Sequence, residues 1–261
     1  MNIKPKVYLI GITSVDIINL KEYLEDTNQK EFLYSWQQAL DEGLSDMECL
    51  ISFYAKLCYK SLVLGQNNNI TKVRDISDNI KSVINTGHGS VLEHVWLNFV
   101  ITNCSRIFTH ELVRHRVGTA FSQTSGRYVS IDQLDLVIDP ILNPVAQDIK
   151  EIQEFLENKL QQLRQKLLEE PNITDFTTKK KITSAIRRLA PNGQSNEIGF
   201  SCNIRALRHL VEMRTSRHAE WEIRYVFNQV ADIIYQRWPL LLFGGNSKEI
   251  DNLLEWTNLS I

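Results

Sequence analysis

The chain has 261 residues, of which 43% are hydrophobic and 23% charged. These are ordinary globular proportions, and they exclude collagen, intrinsic disorder and a disulfide-stapled miniprotein. A net charge of −2 gives no footing to a generic nucleic-acid binder, and without a run of about 18 apolar residues no membrane partner is expected.

Lys6 to Thr13 (KVYLIGIT) is β-branched and apolar, and predicts a first strand. The apolar start lacks the uninterrupted core and small-residue cleavage site of a signal peptide. Residues 16–45 are polar and mixed, read as helical pieces or a surface insertion at about 14–45. Asp46 is the expected cap of a helix through CLISFYAKLCYKSL, ended by Gly65 and the Asn67–Asn69 run. A second helix is expected from about Lys72 to Asn85, stopping at Gly87. HVWLNFVIT, residues 94–102, reads as a central strand. Ser105 caps a helix expected to reach Arg116, followed by a small-residue loop from Val117 to Gly126.

Short strands are expected at Arg127–Ser130 and Leu134–Ile138. Pro140 and Pro144 introduce a charged helix over 145–169. Thr177 or Thr178 starts the next helix, which ends by Pro191. Ser195–Cys202 alternates like a strand. Asn203–Arg217 and Ala219–Trp238 carry helical apolar stripes, and Pro239 stops the second. The irregular alternation and the absence of GxGxxG predict an α+β fold: a single domain over 1–261 with a mixed or antiparallel sheet flanked by helices.

The basic residues are segregated. Windows 101–130 and 185–224 hold 11 of the 14 Arg and none of the 15 Lys. Arginine grips phosphate or carboxylate with a rigid fork, so these windows suggest a site for planar anions, with helix-surface ion pairs as the alternative. Three constellations fall in or near them. THELVRHRVGTAFSQTSGRY, residues 109–128, surrounds a polar loop with Arg114, Arg116 and Arg127 and offers a phosphate cradle. If its helix reaches Arg116, His110 and Arg114 share one face. NIRALRHLVEMRTSRHAEWEI, residues 203–223, spaces Arg205 from His209 and Arg214 from His218 by four. GHGSVLEH, residues 87–94, clusters polar groups on a tight turn. No spacing matches a metal site. P-loop and GxSxG motifs are absent. Four scattered cysteines without CxxC read as reduced thiols of a cytoplasmic protein.

RHRVGTAFSQTSGRY at 114–128 resembles the signature of the flavin-dependent thymidylate synthases. AKLCYKS (55–61), GHGSVLEH, RRLAP (187–191), NIRAL (203–207) and MRTSRHAEWEI (213–223) are similar to the family's other blocks, in the same order. The resemblance implies a homotetramer with active sites shared between subunits. It implies FAD as cofactor, NADPH as reductant and methylenetetrahydrofolate as carbon donor, converting dUMP to dTMP without a cysteine bonded to the pyrimidine. It assigns Arg114, His115, Arg116, Ser90, Asn203, Arg205 and His209 to the flavin, and places His88 and His218 around the flavin and folate. Ser125, Gly126, Arg127 and Arg187 fall on nucleotide positions, with Gln123 and Thr124 beside them; Gln123 also borders the flavin. Arg214 matches the arginine on the uracil ring, the catalytic position, and Arg114 also reaches the nucleotide.

Two departures stand out. Eight residues separate Arg116 from Ser125, one more than in the family, so a bulged loop is expected. Glu111 stands at a nucleotide position where a glutamine is expected, and a carboxylate there repels phosphate unless an arginine pairs with it. Both features motivate an alternative, a related flavin- and folate-dependent enzyme that methylates or hydroxymethylates UMP or dCMP. A noncatalytic RNA-binding module on the arginine face is disfavoured by the near-neutral charge.

Overall fold

The structure is a computed structural model and describes residues 3–126, 135–170 and 175–261. The strand expected at Arg127–Ser130, and with it Arg127, lies outside them. Its centre is a four-stranded antiparallel sheet of β1 (Lys6–Ile12), β2 (Trp96–Ser105), β3 (Thr119–Gln123) and β4 (Ser195–Asn203), in the order β1-β2-β4-β3. Alternation puts Leu97, Phe99 and Ile101 of β2 and Ile198, Phe200 and Cys202 of β4 on one buried face. Phe200 stacks between Phe99 and Phe121, with ring centroids 6.0 and 5.7 Å away. Each such side chain, fully buried, contributes about 1.5–3 kcal/mol.

Two helices cover that face. In α8 (Ile204–Thr215) the Asn203 side chain accepts from the Ala206 amide. In α9 (Trp221–Arg237) Ile223, Val226, Phe227, Val230 and Ile234 recur at helical spacing and are buried. The segment 16–45 forms two helices, α1 (Ile17–Asp26) and α2 (Phe32–Asp41). Their Leu20, Leu24, Phe32, Trp36 and Ala39 join the same core as α3 (Asp46–Cys58) and α4 (Ile76–Asn85). The expected helix at 46 is capped by Ser45 rather than Asp46: Ser45 and Glu48 form a reciprocal capping box. It ends at Cys58, and α4 begins four residues later than expected because Asp75 is its cap.

Ser105 does cap α5 (Arg106–Leu112), but that helix stops four residues short of Arg116. Arg114 and Arg116 therefore sit beyond the helix, and the shared His110–Arg114 face does not form. The expected loop 117–126 is largely β3, which pairs with β4 from Thr119–Cys202 to Gln123–Ile198. Sheet pairing outweighs the small polar side chains of TAFSQ. Leu136 and Val137 make only isolated bridges. The charged helix is α6 (Ala146–Leu168), and α7 (Phe176–Ile186) starts behind Asp175 rather than at a threonine. A hairpin of β5 (Asn246–Ile250) and β6 (Leu253–Thr257) has no counterpart in the sequence reading. Its turn residues Asp251 and Asn252 both have positive φ, 57° and 61°, the geometry of a two-residue hairpin turn. Among the described residues no helix is long and apolar enough to cross a membrane.

Candidate active site

β4 and α5 deliver the two arginine-rich windows to one place. As β4 ends, the Asn203 amide donates to the Gly118 carbonyl at 3.0 Å. This ties the start of α8 to the turn carrying Arg114, His115 and Arg116. Together they enclose a cavity of about 370 Å³ lined by Arg114, His115, Arg116, Asn203, Arg205 and His209. Gly118, at φ 67°, keeps it open: a Cβ there would lie 2.6 Å from the Asn203 side-chain nitrogen. Gly89 likewise admits Arg205, since its Cβ would come within 2.8 Å of Arg205 Nε.

The arginines are aimed by neighbours. Arg205 Nη1 donates to Glu93 Oε1 at 2.7 Å and its Nε to the Ile261 carbonyl at 3.2 Å. His209 Nδ1 lies 3.2 Å from Ser260 Oγ. Glu93, Ser260 and Ile261 complete the lining. None of the three carries a ligand assignment from the sequence. The polar GHGSVLEH block carried a signal for Glu93; Ser260 and Ile261 lie past every recognisable motif.

Arg214 is half-buried beside the cavity. Its Nε donates to His115 Nε2 at 2.8 Å, and its Nη1 lies 3.3 Å from Glu111 Oε2. Glu111 is therefore paired with a guanidinium. Burial, then the charges of Arg214 and His209, hold the His115 pKa down to about 4. The imidazole is neutral at pH 7, with Nε2 as acceptor and the proton on Nδ1. Burial also lowers Arg214 from its ordinary value while Glu111 opposes the shift; it remains a cation.

Arg114 links this cavity to a neighbouring cleft of about 460 Å³ that holds Glu111 and Gln123. Arg106 joins that cleft to one of about 390 Å³ holding Thr124, Gly126 and Arg187. Gly126 and Arg187 are close, since a Cβ on the glycine would be 3.5 Å from Arg187 Cδ. Ser125 continues the chain between Thr124 and Gly126. His88, Ser90 and His218 do not line these cavities. His88 instead meets the Tyr59 hydroxyl at 2.9 Å, Ser90 is exposed on the 3₁₀ turn Gly89–His94, and His218 is exposed after α8.

No thiol lines the three clefts. Burial pushes Cys49 and Cys104 up to about 12 and raises Cys202 further, so these three stay protonated at neutral pH. Among the described residues no group of three or more His, Cys, Asp or Glu side chains is arranged to hold a metal ion. Three guanidiniums and an amide suit a diphosphate. Val117, Ala206, Leu210 and Ile261 supply apolar surface for a ring. The glycine-opened cradle thus suits the diphosphate and one ring face of a dinucleotide.

The family described as thymidylate synthase complementing protein matches residues 40–240. The chain is similar to the flavin-dependent thymidylate synthase of Corynebacterium diphtheriae, 31% identical over 207 residues that cover 77% of this chain and 79% of the relative. The enzyme of the same name from Mycobacterium avium is 34% identical over 200 residues, 72% and 74% of the two chains. That of Mycobacterium tuberculosis is 33% identical over 197 residues, again 72% and 74%.

Proposed function

The chain belongs to the flavin-dependent thymidylate synthase family, and on that footing we propose that it methylates dUMP at C5. The carbon comes from methylenetetrahydrofolate, the electrons come from NADPH, and the products are dTMP, tetrahydrofolate and NADP⁺. The observation that carries this reading is the convergence of Arg114, His115, Arg116, Asn203, Arg205 and His209 on one cavity, with Arg214 held beside it by His115 and Glu111.

The roles follow from charge. Arg114, Arg116 and Arg205 neutralise the flavin diphosphate. Asn203 holds the turn that carries Arg114, and Glu93 fixes the direction of Arg205. Arg187, Thr124 and Gly126 receive the nucleotide, joined by Arg127 and Ser125; Arg114 and Gln123 serve both ligands. When bound, the flavin supplies the two-electron chemistry that turns a methylene into a methyl group. Arg214 meets the pyrimidine. C5 becomes a carbon nucleophile only as negative charge builds on the ring carbonyls and N3. A guanidinium locked in place before reaction stabilises that charge without reorganising. His115 does the locking, because its neutral Nε2 accepts from Arg214 Nε. Glu111 holds a second edge and leaves the remaining donors for the ring.

The cavity of about 370 Å³ is at the lower end of ligand sites, roughly 300–1,000 Å³, and a flavin dinucleotide is larger than most ligands they hold. We read the remainder as coming from a second copy. His88, Ser90 and His218, which do not line the cavity of their own chain, are the residues assigned to a neighbour's site in a homotetramer. The pairing of Glu111 with Arg214 removes one of the two reasons to favour another nucleotide.

The test is turnover with dUMP, UMP and dCMP in turn, with methylenetetrahydrofolate and NADPH present and product masses recorded. The protein should be yellow and should give dTMP from dUMP alone. A colourless protein, or methylation of another nucleotide in place of dUMP, would end this reading.

A further inference from the structure

A cavity of about 550 Å³ shares no lining residue with the arginine-lined clefts. It is bounded by the end of α3, the following loop, α4 and His88. Lys56, Lys72 and Arg74 line it, with a hydroxyl-rich remainder that includes Tyr59 and Ser82, and none of the lining residues is Asp or Glu.

Lys56 is the unusual member. It is 1% exposed, yet charged residues are almost never fully buried unless paired. Its ammonium has three protons to donate and gives one to the Arg74 carbonyl at 2.5 Å. It also sits 5.3 Å from the centre of the Phe32 ring. The carboxylate that attracts it, Asp75, accepts from the Asp78 amide at 2.7 Å as the cap of α4. Burial lowers the Lys56 pKa to about 8, the sign of a cation short of counter-charge. Arg74 is held at the wall by its Nη1 bond to Ser82 Oγ, 2.9 Å long. The chain joins its wall to the active site: His88, paired with Tyr59, precedes Gly89, on which Arg205 packs.

We propose that this cavity seats the anionic tail of a co-substrate, a phosphate or carboxylate group held by Lys72 and Arg74 above the buried Lys56. That the tail belongs to the reductant or to the carbon donor rests on the function proposed above; the anion site itself does not. A guanidinium fork, two ammonium groups and several hydroxyls recognise the shared oxyanion chemistry of both tails.

The test is titration calorimetry on the full chain with two probes. 2′,5′-ADP represents the phosphorylated end of the reductant, and tetra-γ-glutamate the carboxylate tail of a folate. One of the two should bind, identifying the source, and Arg74→Gln or Lys72→Gln should weaken it at least tenfold. Both side chains are exposed, so these variants should fold. Lys56→Met should abolish binding; if it fails to fold, the exposed pair decides. In turnover, Arg74→Gln should raise the KM of the matching co-substrate and leave that of dUMP unchanged. Absence of binding by both probes, or binding indifferent to Arg74→Gln and Lys72→Gln, overturns the proposal. Probe binding that needs Arg74, in a protein that fails to methylate dUMP, supports the anion site and removes only the function proposed above.

Discussion

Arg214 is held as it is because His115 is uncharged. An imidazolium would have no lone pair on Nε2 for Arg214 Nε. The folded pKa of His115, about 4, lies below the ordinary 6.5. Between those values the unfolded chain binds more protons, so this contribution to stability is fully present above about pH 6.5 and disappears as pH falls through 4. Glu222 has the opposite sign. Burial raises its carboxyl to about 7, so its contribution is present below about pH 4.5 and is lost as pH rises through 7. The two slopes oppose each other between about pH 4.5 and 6.5. Glu222→Gln should make stability rise more steeply with pH across that window, and His115→Gln, which keeps an acceptor near the Nε2 position, should make it fall. Urea midpoints at half-unit steps read both; unchanged slopes would mean neither group titrates as described. In steady-state kinetics Arg214→Ala should lower kcat by about 10²–10³. Arg214→Lys should recover little, since an ammonium cannot reach His115, Glu111 and a substrate at once.

Between elements, the critical joint is where β2 passes into α5. The Ser105 amide donates to Glu222 Oε1 at 2.6 Å, and the Ser105 hydroxyl bonds the other carboxylate oxygen while capping Phe108. That link fixes α5, and with it the turn bearing Arg114 and His115, against α9. Glu222→Ala leaves two buried donors without acceptors and should cost about 2–6 kcal/mol, at ~1–3 kcal/mol each, measured by urea denaturation. Much of this framework was legible. Apolar runs rich in β-branched residues marked β1 and β2, alternation marked β4, and 3.6-residue stripes marked α8 and α9. The cap at Ser105 was legible too, because a side chain that bonds its own third amide is local chemistry. The end of α5 was not: Val113 to Arg116 has no helix breaker, and the chain turns there because TAFSQ finds a partner in β4. The β5–β6 hairpin carried a signal in Asp251-Asn252, a pair tolerant of positive φ, but charged residues blur the alternation around it. Each motif of the site could be read by itself. Which motifs share a cavity, and that Ser260 and Ile261 wall it, was decided by strand order and by carbonyl groups that leave no trace in side-chain pattern.

For the molecule as a whole, two elements leave apolar side chains uncovered. Ile152, Phe155, Leu163 and Leu167 of α6, and separately Tyr8, Ile10 and Ile12 of β1, are exposed, more than isolated surface hydrophobes require. A tetramer of this 30.2 kDa chain should scatter light as a particle of about 121 kDa. Charged replacements at Ile152 and Phe155 should shift that mass downward and release flavin, whereas a monomer that keeps its flavin would refute shared sites. Arg208 sets how such losses are coupled. It is fully buried, and its Nε, Nη1 and Nη2 donate to the carbonyls of Leu259, Leu241 and Phe243 at 2.9, 2.7 and 3.0 Å. One side chain on a core helix thus staples down the segment Leu241–Leu259, which leads to Ser260 and Ile261 at the cavity wall. This segment should therefore not melt as a separate step, and the amides of its buried Trp256 and Leu259 should exchange with deuterium only when the whole core opens. The yellow of the holoprotein then doubles as a gauge of folding: on heating, its bleaching and the collapse of helical signal should fall on one curve.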